Sequence, residues 1–328
     1  MERENKGGFS ALQKESRYSL DEVKEKTYKK RDSWWTVILV DPLASRLVVP
    51  VANHTRVTPN QISLFAFLLG IASAIFFYRG DTLSLVTAAL LYHFSFVLDC
   101  MDGKIARLKG TGSVFGMWLD YMLDRFRVVV CSVALMAGQY AATGEVIYLS
   151  FAFLIVFLDM LRYMDALQLY KLRQEMRKKI RKAKREARYH LMEVEGIEGF
   201  HEESLPPVLR EKTDQEEPER QRKVDLNRGF KKRFGWYLRI RDRLEESRIR
   251  PHLFSGIEFQ MFIFIIGPLA GLIKETVLFS SVLLILFEAA IIYKMWLSTE
   301  DLHRELEEIQ QEDPVVAKDF VEGDRYTG

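Results

Sequence analysis

Six apolar blocks constrain this chain more than any other feature. They fall at about 61–78, 82–101, 116–140, 145–165, 257–274 and 277–297. Each approaches the roughly 20 residues that a helix needs to cross a bilayer. A soluble helical bundle keeps a polar stripe on its helices and has no use for so many uniformly apolar runs. The sequence therefore predicts an all-α integral membrane protein with six transmembrane helices. A mean hydropathy of −0.07 conceals this, because apolar blocks alternate with heavily charged ones. The net charge of +2 conceals a similar segregation of basic from acidic residues.

These blocks divide the chain. Residues 1–33 are polar, without the pattern of a cleavable signal peptide, and are expected in the cytosol. Within them, Ser19 to Glu22 resembles a capping box that starts a short helix. Residues 34–60 form the juxtamembrane segment. Trp34 and Trp35 read as an interfacial anchor, and Asp41-Pro42 as an N-cap followed by proline at the first helical position. Leu43, Leu47, Val48 and Val51 then share a face, away from Arg46, with Pro50 expected to kink or end the helix. This predicts an amphipathic helix on the membrane surface. Residues 61–165 hold spans one to four, 166–256 a charged cytosolic insertion, 257–297 spans five and six, and 298–328 a polar tail in which Ser298 and Asp301 are candidate caps. Cys100 and Cys131 both fall in apolar blocks and make neither a disulfide framework nor a zinc site.

Lysine and arginine set the orientation. The segment Lys104 to Lys109 is basic, and the run from Tyr170 to Arg188 much more so. Both lie on the side of the N-terminus, so both termini are expected in the cytosol. A basic run near a bilayer attracts anionic lipid. No nucleic-acid-binding module accompanies these charges, so a nucleic-acid partner is not expected.

The chemistry concentrates between Leu98 and Arg125. Asp99 and Asp102 are three residues apart, and Asp120 and Asp124 four apart, so on helices each pair shares a face. Gly103 and Gly116 sit close by, where a missing side chain permits close approach. Four carboxylates at one place repel one another unless a cation lies between them. Hard divalent cations take such oxygen ligands, and a two-metal site suits a phosphate substrate. Read as residues alone, the cluster also fits a structural network with Lys104, Arg107, Arg125 and Arg127. An intramembrane cation path, or a scaffold without catalysis, remains open on the same basis.

The whole string D-x2-D-G-x2-A-R-x8-G-x3-D-x3-D resembles the signature of the CDP-alcohol phosphotransferases. Its fixed positions here are Asp99, Asp102, Gly103, Ala106, Arg107, Gly116, Asp120 and Asp124. The resemblance implies transfer of a substituted phosphate from a CDP-linked donor to an acceptor alcohol, with release of CMP. The donor is most commonly CDP-diacylglycerol, in phospholipid synthesis. A CDP-linked polar alcohol such as CDP-inositol is the alternative. It further implies Mg²⁺ or Mn²⁺ as cofactor, two ions held by Asp99, Asp102, Asp120 and Asp124, with Asp124 as general base. Pro59 and Asn60, at the start of the first span, join Gly103, Ala106, Arg107 and Gly116 on the nucleotide and phosphate side. The active site is expected to face the cytosol, and the family suggests a homodimer. The long insertion departs from the short connection common in the family, which leaves the acceptor open. Arg125, Arg127, Arg162, Arg248 and Arg250 are candidate acceptor contacts. Arg162 serves equally well as a partner of Asp159 or Asp165. His93 is expected to pack or to form a hydrogen bond, and Glu288 to serve helix packing or a dimer interface.

Overall fold

The structure is a computed structural model that describes residues 17–194, 233 and 235–312, with side chains described over 17–187, 233 and 241–309. Of the acidic, proline-containing stretch over 193–219 of the insertion, all but Glu193 and Val194, which end a helix, lies outside the described residues, as does the tail beyond Pro314. What is described is helical and divides into two compact units. The first comprises Met1–Met160 with Arg241–Ile285, and the second Leu161–Ile240 with Leu286–Gly328.

The first unit is built from α1 (Leu20–Thr27), α2 (Asp41–His54, entered through a π-helical turn at Thr36–Val40), α3 (Pro59–Arg79), α4 (Thr82–Lys109), α5 (Val114–Thr143), the start of α6 (Ile147–Val194) and α8 (Gly256–Ala270). Between α6 and α8 lies α7 (Gly235–Glu246), and the chain ends in α9 (Ile273–Glu312). Helix ends follow from local chemistry. The Ser19 hydroxyl accepts from the Glu22 backbone at the start of α1 (3.2 Å). Thr58 and Gln61 form a reciprocal capping box on α3, with Pro59 at its first turn. Asp81 caps α4 through the Ser84 amide (3.0 Å), and Ser113 caps α5 through the Gly116 amide (3.0 Å). Such caps are typically worth about 1 kcal/mol each. Gly80, Gly110 and Gly144 end the three helices in the left-handed conformation that suits glycine.

Among the described residues, six helices are long and apolar enough to cross a membrane. The number agrees with the sequence reading, but the membership differs. Thr36–His54 qualifies, whereas the expected fifth span is the shorter run Gly256–Ala270, broken by a π-helical turn at Phe262–Ile266. The break before the last helix falls at Gly271, ahead of the expected gap between the blocks 257–274 and 277–297.

Several local expectations need correction. Asp41 is not the N-cap of α2: Val40 holds that position, and the Asp41 carboxylate is taken by cations described below. Pro50 lies inside α2, which runs on to His54. The buried face of α2 is Asp41, Ala44, Ser45 and Val48, with Arg46 exposed as expected. Trp35 is buried against the edge of His93 (ring centroids 6.2 Å) instead of lining an interface. The basic segment Lys104 to Lys109, expected between two spans, forms the last turns of α4.

α3 packs against both α4 and α5, and runs in the same direction as α5. A Cβ at Gly138 would lie 2.5 Å and 2.6 Å from the carbonyl oxygens of Phe77 and Tyr78. A Cβ at Gly70 would lie 2.7 Å from the Arg127 side chain. Only glycine admits such approach. The outward faces carry exposed Leu64, Phe65, Leu68 and Ile75 on α3, as a lipid-facing helix does.

The second unit joins the continuation of α6 to that of α9. Met176, Ile180 and Ala183 pack on Leu302 and Ile309, with Ala187, Met295 and Leu306 alongside. The alternating four- and three-residue steps along α6 are those of a coiled-coil seam. The basic run is thus one face of a helix whose other face is core. Lys184 pairs with Glu305 (3.2 Å) across the seam. Arg162 pairs with Asp165 (3.2 Å) and with Glu288 (3.3 Å). Ser298 and Asp301 are buried within α9, not at the start of an exit helix.

Candidate active site

α4 and α5 are joined by the short turn after Gly110, so the two halves of the acidic motif face each other at one end of the helix pair. Ligand oxygens of Asp99, Asp102 and Asp120 all lie within 4.8 Å of one another. Asp102 is buried, and the Ser63 hydroxyl from α3 donates to its Oδ2. Asp120 Oδ1 is buried and has no hydrogen-bond partner. Asp124, one turn further along α5, is held by Arg127 through Oδ1.

Of the four cations that might have neutralised the motif, Arg127 pairs with two of its carboxylates, Asp124 and Asp99. Its guanidinium meets Asp99 Oδ1 (3.3 Å) and Ser95 (3.1 Å) and sits near the face of Tyr92. Lys104 pairs instead with Asp41 (2.6 Å), Arg125 with Asp159, and Arg107 donates its Nε to the Thr27 carbonyl (3.2 Å). Four aspartates against one arginine leave excess negative charge in a low-dielectric place, which a divalent cation relieves. The orphaned Asp120 oxygen points to the same missing positive charge. The donor set, oxygen only, fits Mg²⁺ or Mn²⁺.

Around the cluster, Gly116 faces Asn60: a Cβ there would lie 2.7 Å from the Asn60 Oδ1. Asn60 and Pro59 open α3, so the structure brings them to the motif. The Arg107 guanidinium lies over Gly103, with Nη1 3.4 Å from where a Cβ would be. Ala106 is on the same last turns of α4.

The candidate acceptor contacts separate. Arg127 is buried inside the carboxylate cluster. Arg125 is bound to Asp159, whose other oxygen accepts from Gln260 (2.7 Å), which in turn accepts from Tyr92 (3.3 Å). Arg162 belongs to the second unit, with Asp165 and Glu288. Arg248 is bound to Asp41 (2.8 Å) and Arg250 to Asp32 (3.2 Å), both from the N-terminal segment. Asp159 therefore belongs to Arg125, and Asp165 to Arg162. Glu258 accepts from Ser255 through Oε2 as the third residue of a capping box (3.0 and 2.8 Å). His93 packs against Trp35, in line with its sequence reading.

Motif, geometry and comparison agree on the class. The sequence model of the CDP-alcohol phosphatidyltransferase family matches residues 56–188, the stretch that holds the acidic motif. Over 104 residues the chain is 38% identical to the bifunctional IPC transferase and DIPP synthase of Archaeoglobus fulgidus, covering 32% of this chain and 20% of that protein. It is 30% identical over 99 residues to the archaetidylinositol phosphate synthase of Methanothermobacter thermautotrophicus (30% and 49%). It is 33% identical over 88 residues to the phosphatidylinositol phosphate synthase of Corynebacterium glutamicum (27% and 37%). The chain thus spans between a fifth and a half of the length of these relatives.

Proposed function

We propose that this protein transfers a substituted phosphate from CDP-diacylglycerol or a similar CDP-linked lipid to the hydroxyl of an acceptor alcohol, releasing CMP. The observation that carries this is the Asp99, Asp102 and Asp120 cluster at motif spacing, short of positive charge. A lipid donor is supported by Val114, Phe115, Met117 and Trp118, which are exposed around Gly116 and offer an apolar surface beside the site. An acceptor of the inositol phosphate kind is supported by the names of two relatives, archaetidylinositol phosphate synthase and phosphatidylinositol phosphate synthase.

Asp99, Asp102 and Asp120 hold Mg²⁺ or Mn²⁺, with Asp124 bordering the same place. Two such ions supply neutralisation of the pyrophosphate and polarisation of the attacked phosphorus. Asn60, Gly103, Ala106 and Gly116 let the nucleotide approach the helix backbones, and Arg107 pairs with phosphate oxygens. Asp124 accepts the acceptor's hydroxyl proton at Oδ2, because Arg127 occupies Oδ1 and fixes the carboxylate plane. The new bond joins the acceptor oxygen to the attacked phosphorus, and the anhydride bond to CMP breaks. The site and both termini face the cytosol, where the nucleotide is soluble. We further propose a homodimer, and attraction of the exposed face of the α6 basic run to anionic lipid. Residues 61–165 carry the catalysis, and 166–256 act as an accessory insertion.

The test is CMP release by purified protein with Mg²⁺ or Mn²⁺. CDP-diacylglycerol is offered with inositol phosphate, inositol, glycerol phosphate, serine and choline. CMP with one of these is expected. CMP only with CDP-inositol would reassign the donor to a polar alcohol. A protein that neither releases CMP nor binds CDP with metal would overturn the transferase reading.

A further inference from the structure

We infer that Arg248, on the segment returning from the insertion, is a positioning residue for the donor site, acting through Asp41 and the strap Thr27–Lys29. This rests on the proposed transferase reading. The Asp41 carboxylate is buried and its two oxygens are divided: Oδ1 takes Lys104 of the motif helix (2.6 Å), and Oδ2 takes Arg248 (2.8 Å). Tyr28 lies between the two cations, its ring centre 4.0 Å from the Arg248 guanidinium and 5.0 Å from the Lys104 ammonium. The strap is fixed at both ends. The Lys29 carbonyl accepts from Arg248 Nε (3.1 Å), and the Thr27 carbonyl accepts from Arg107 Nε (3.2 Å). A planar guanidinium held at Nε has its outer fork oriented. Arg248 therefore sets, through three residues of backbone, how the motif's Arg107 is presented to phosphate.

An independent observation singles out the same residue. Arg248 is the only non-glycine among the described residues with positive φ (61°). It follows the end of α7, where glycine is the usual occupant. A side chain kept at a disfavoured backbone position signals that the side chain is required there. The surrounding backbone is locked in turn. The Asp32 amide donates to the Arg248 carbonyl (2.9 Å), and the Arg250 amide to the Asp32 carbonyl (2.8 Å). The insertion's exit is thereby tied into the first unit beside the motif helix.

The backbone preference supplies a clean test. Arg248→Gly removes the guanidinium while giving the chain the residue its conformation favours, so the relaxed backbone offsets part of the stability lost with the Asp41 ion pair, and the variant is expected to fold with a lowered Tm. The KM for the CDP-linked donor should rise about tenfold, the size of one charge-assisted hydrogen bond, with kcat within about twofold. Titration of CDP in the presence of Mn²⁺ should show the same weakening. Arg248→Lys, which retains a cation, should recover part of both. A folded Arg248→Gly protein with unchanged KM and CDP affinity overturns the inference. So does a lowered kcat at unchanged KM, which reports fewer folded molecules. Parent protein that neither binds CDP nor releases CMP overturns the transferase reading itself, and this inference with it.

Discussion

Two clusters of charge lie at the same end of α4, and they are built on opposite rules. At Asp41 one carboxylate meets two cations, each oxygen has its partner, and an aromatic ring fills the space between the cations. Around Asp99, Asp102, Asp120 and Asp124 one arginine pairs with two of four carboxylates, and a buried Asp120 oxygen is left without a partner. Burying charge is costly in both places. The first cluster meets the cost internally and is complete as it stands. The second is deficient by design and requires something brought from outside. A site for ligands and a site for stability are thus distinguished by their unmet demand, since both are rich in ionisable residues.

That contrast can be attacked from either side. The largest expected effect is on catalysis: Asp124→Asn should lower CMP release by about 10²- to 10⁴-fold, the usual worth of general-base catalysis. CDP and Mn²⁺ binding should stay within a few-fold by calorimetry, and retained turnover would reject Asp124 as the base. Next is the Asp41 cluster, where Asp41→Asn strands the buried Lys104 and should cost about 3–5 kcal/mol in thermal or denaturant unfolding. Adding Lys104→Met should recover most of that loss, as expected for a pair whose worth is structural. An intermediate effect is expected for Arg127→Met, which should lower the Tm of metal-free protein and leave it more responsive to Mn²⁺ than the parent. A Tm gain on Mn²⁺ addition no larger than the parent's would mean that Arg127 does not offset the cluster's charge. The smallest effect is Ser63→Ala, which removes one hydrogen bond to Asp102 and should change Mn²⁺ affinity by about fivefold, on the order of 1 kcal/mol.

The parts legible in the sequence were those written locally. Asp99 and Asp102 share a helix face because they are three apart, and Ser19 caps α1 as its spacing to Glu22 predicts. The Asp41 cluster was illegible because its partners lie 63 and 207 residues away, and no period links them. Asp41-Pro42 carries a local signal for a cap, and the tertiary ion pair overrode it. Arg125 and Arg127 looked equivalent as candidate acceptor contacts. One signal did separate them: Arg127 is three residues past Asp124 and so shares its face, whereas Arg125 does not. The fifth span was misjudged for a related reason, since apolar composition does not reveal the π-helical turn and the stop at Gly271.

The seam between α3 and α5 has a further consequence. Gly116, Arg127 and Gly138 follow one another at intervals of eleven residues, which return to the same face of a helix after about three turns. Each meets α3 at its own level: Asn60 at the start, Gly70 in the middle, and the Phe77 and Tyr78 carbonyls near the end. Together they act as the graduations of a ruler laid along α3. Adding or deleting one residue of α5 between Gly116 and Gly138 would turn everything beyond it by about 100° and misalign at least one graduation. The length of this helix between its two glycines is therefore as much a part of the active site as the aspartates it carries.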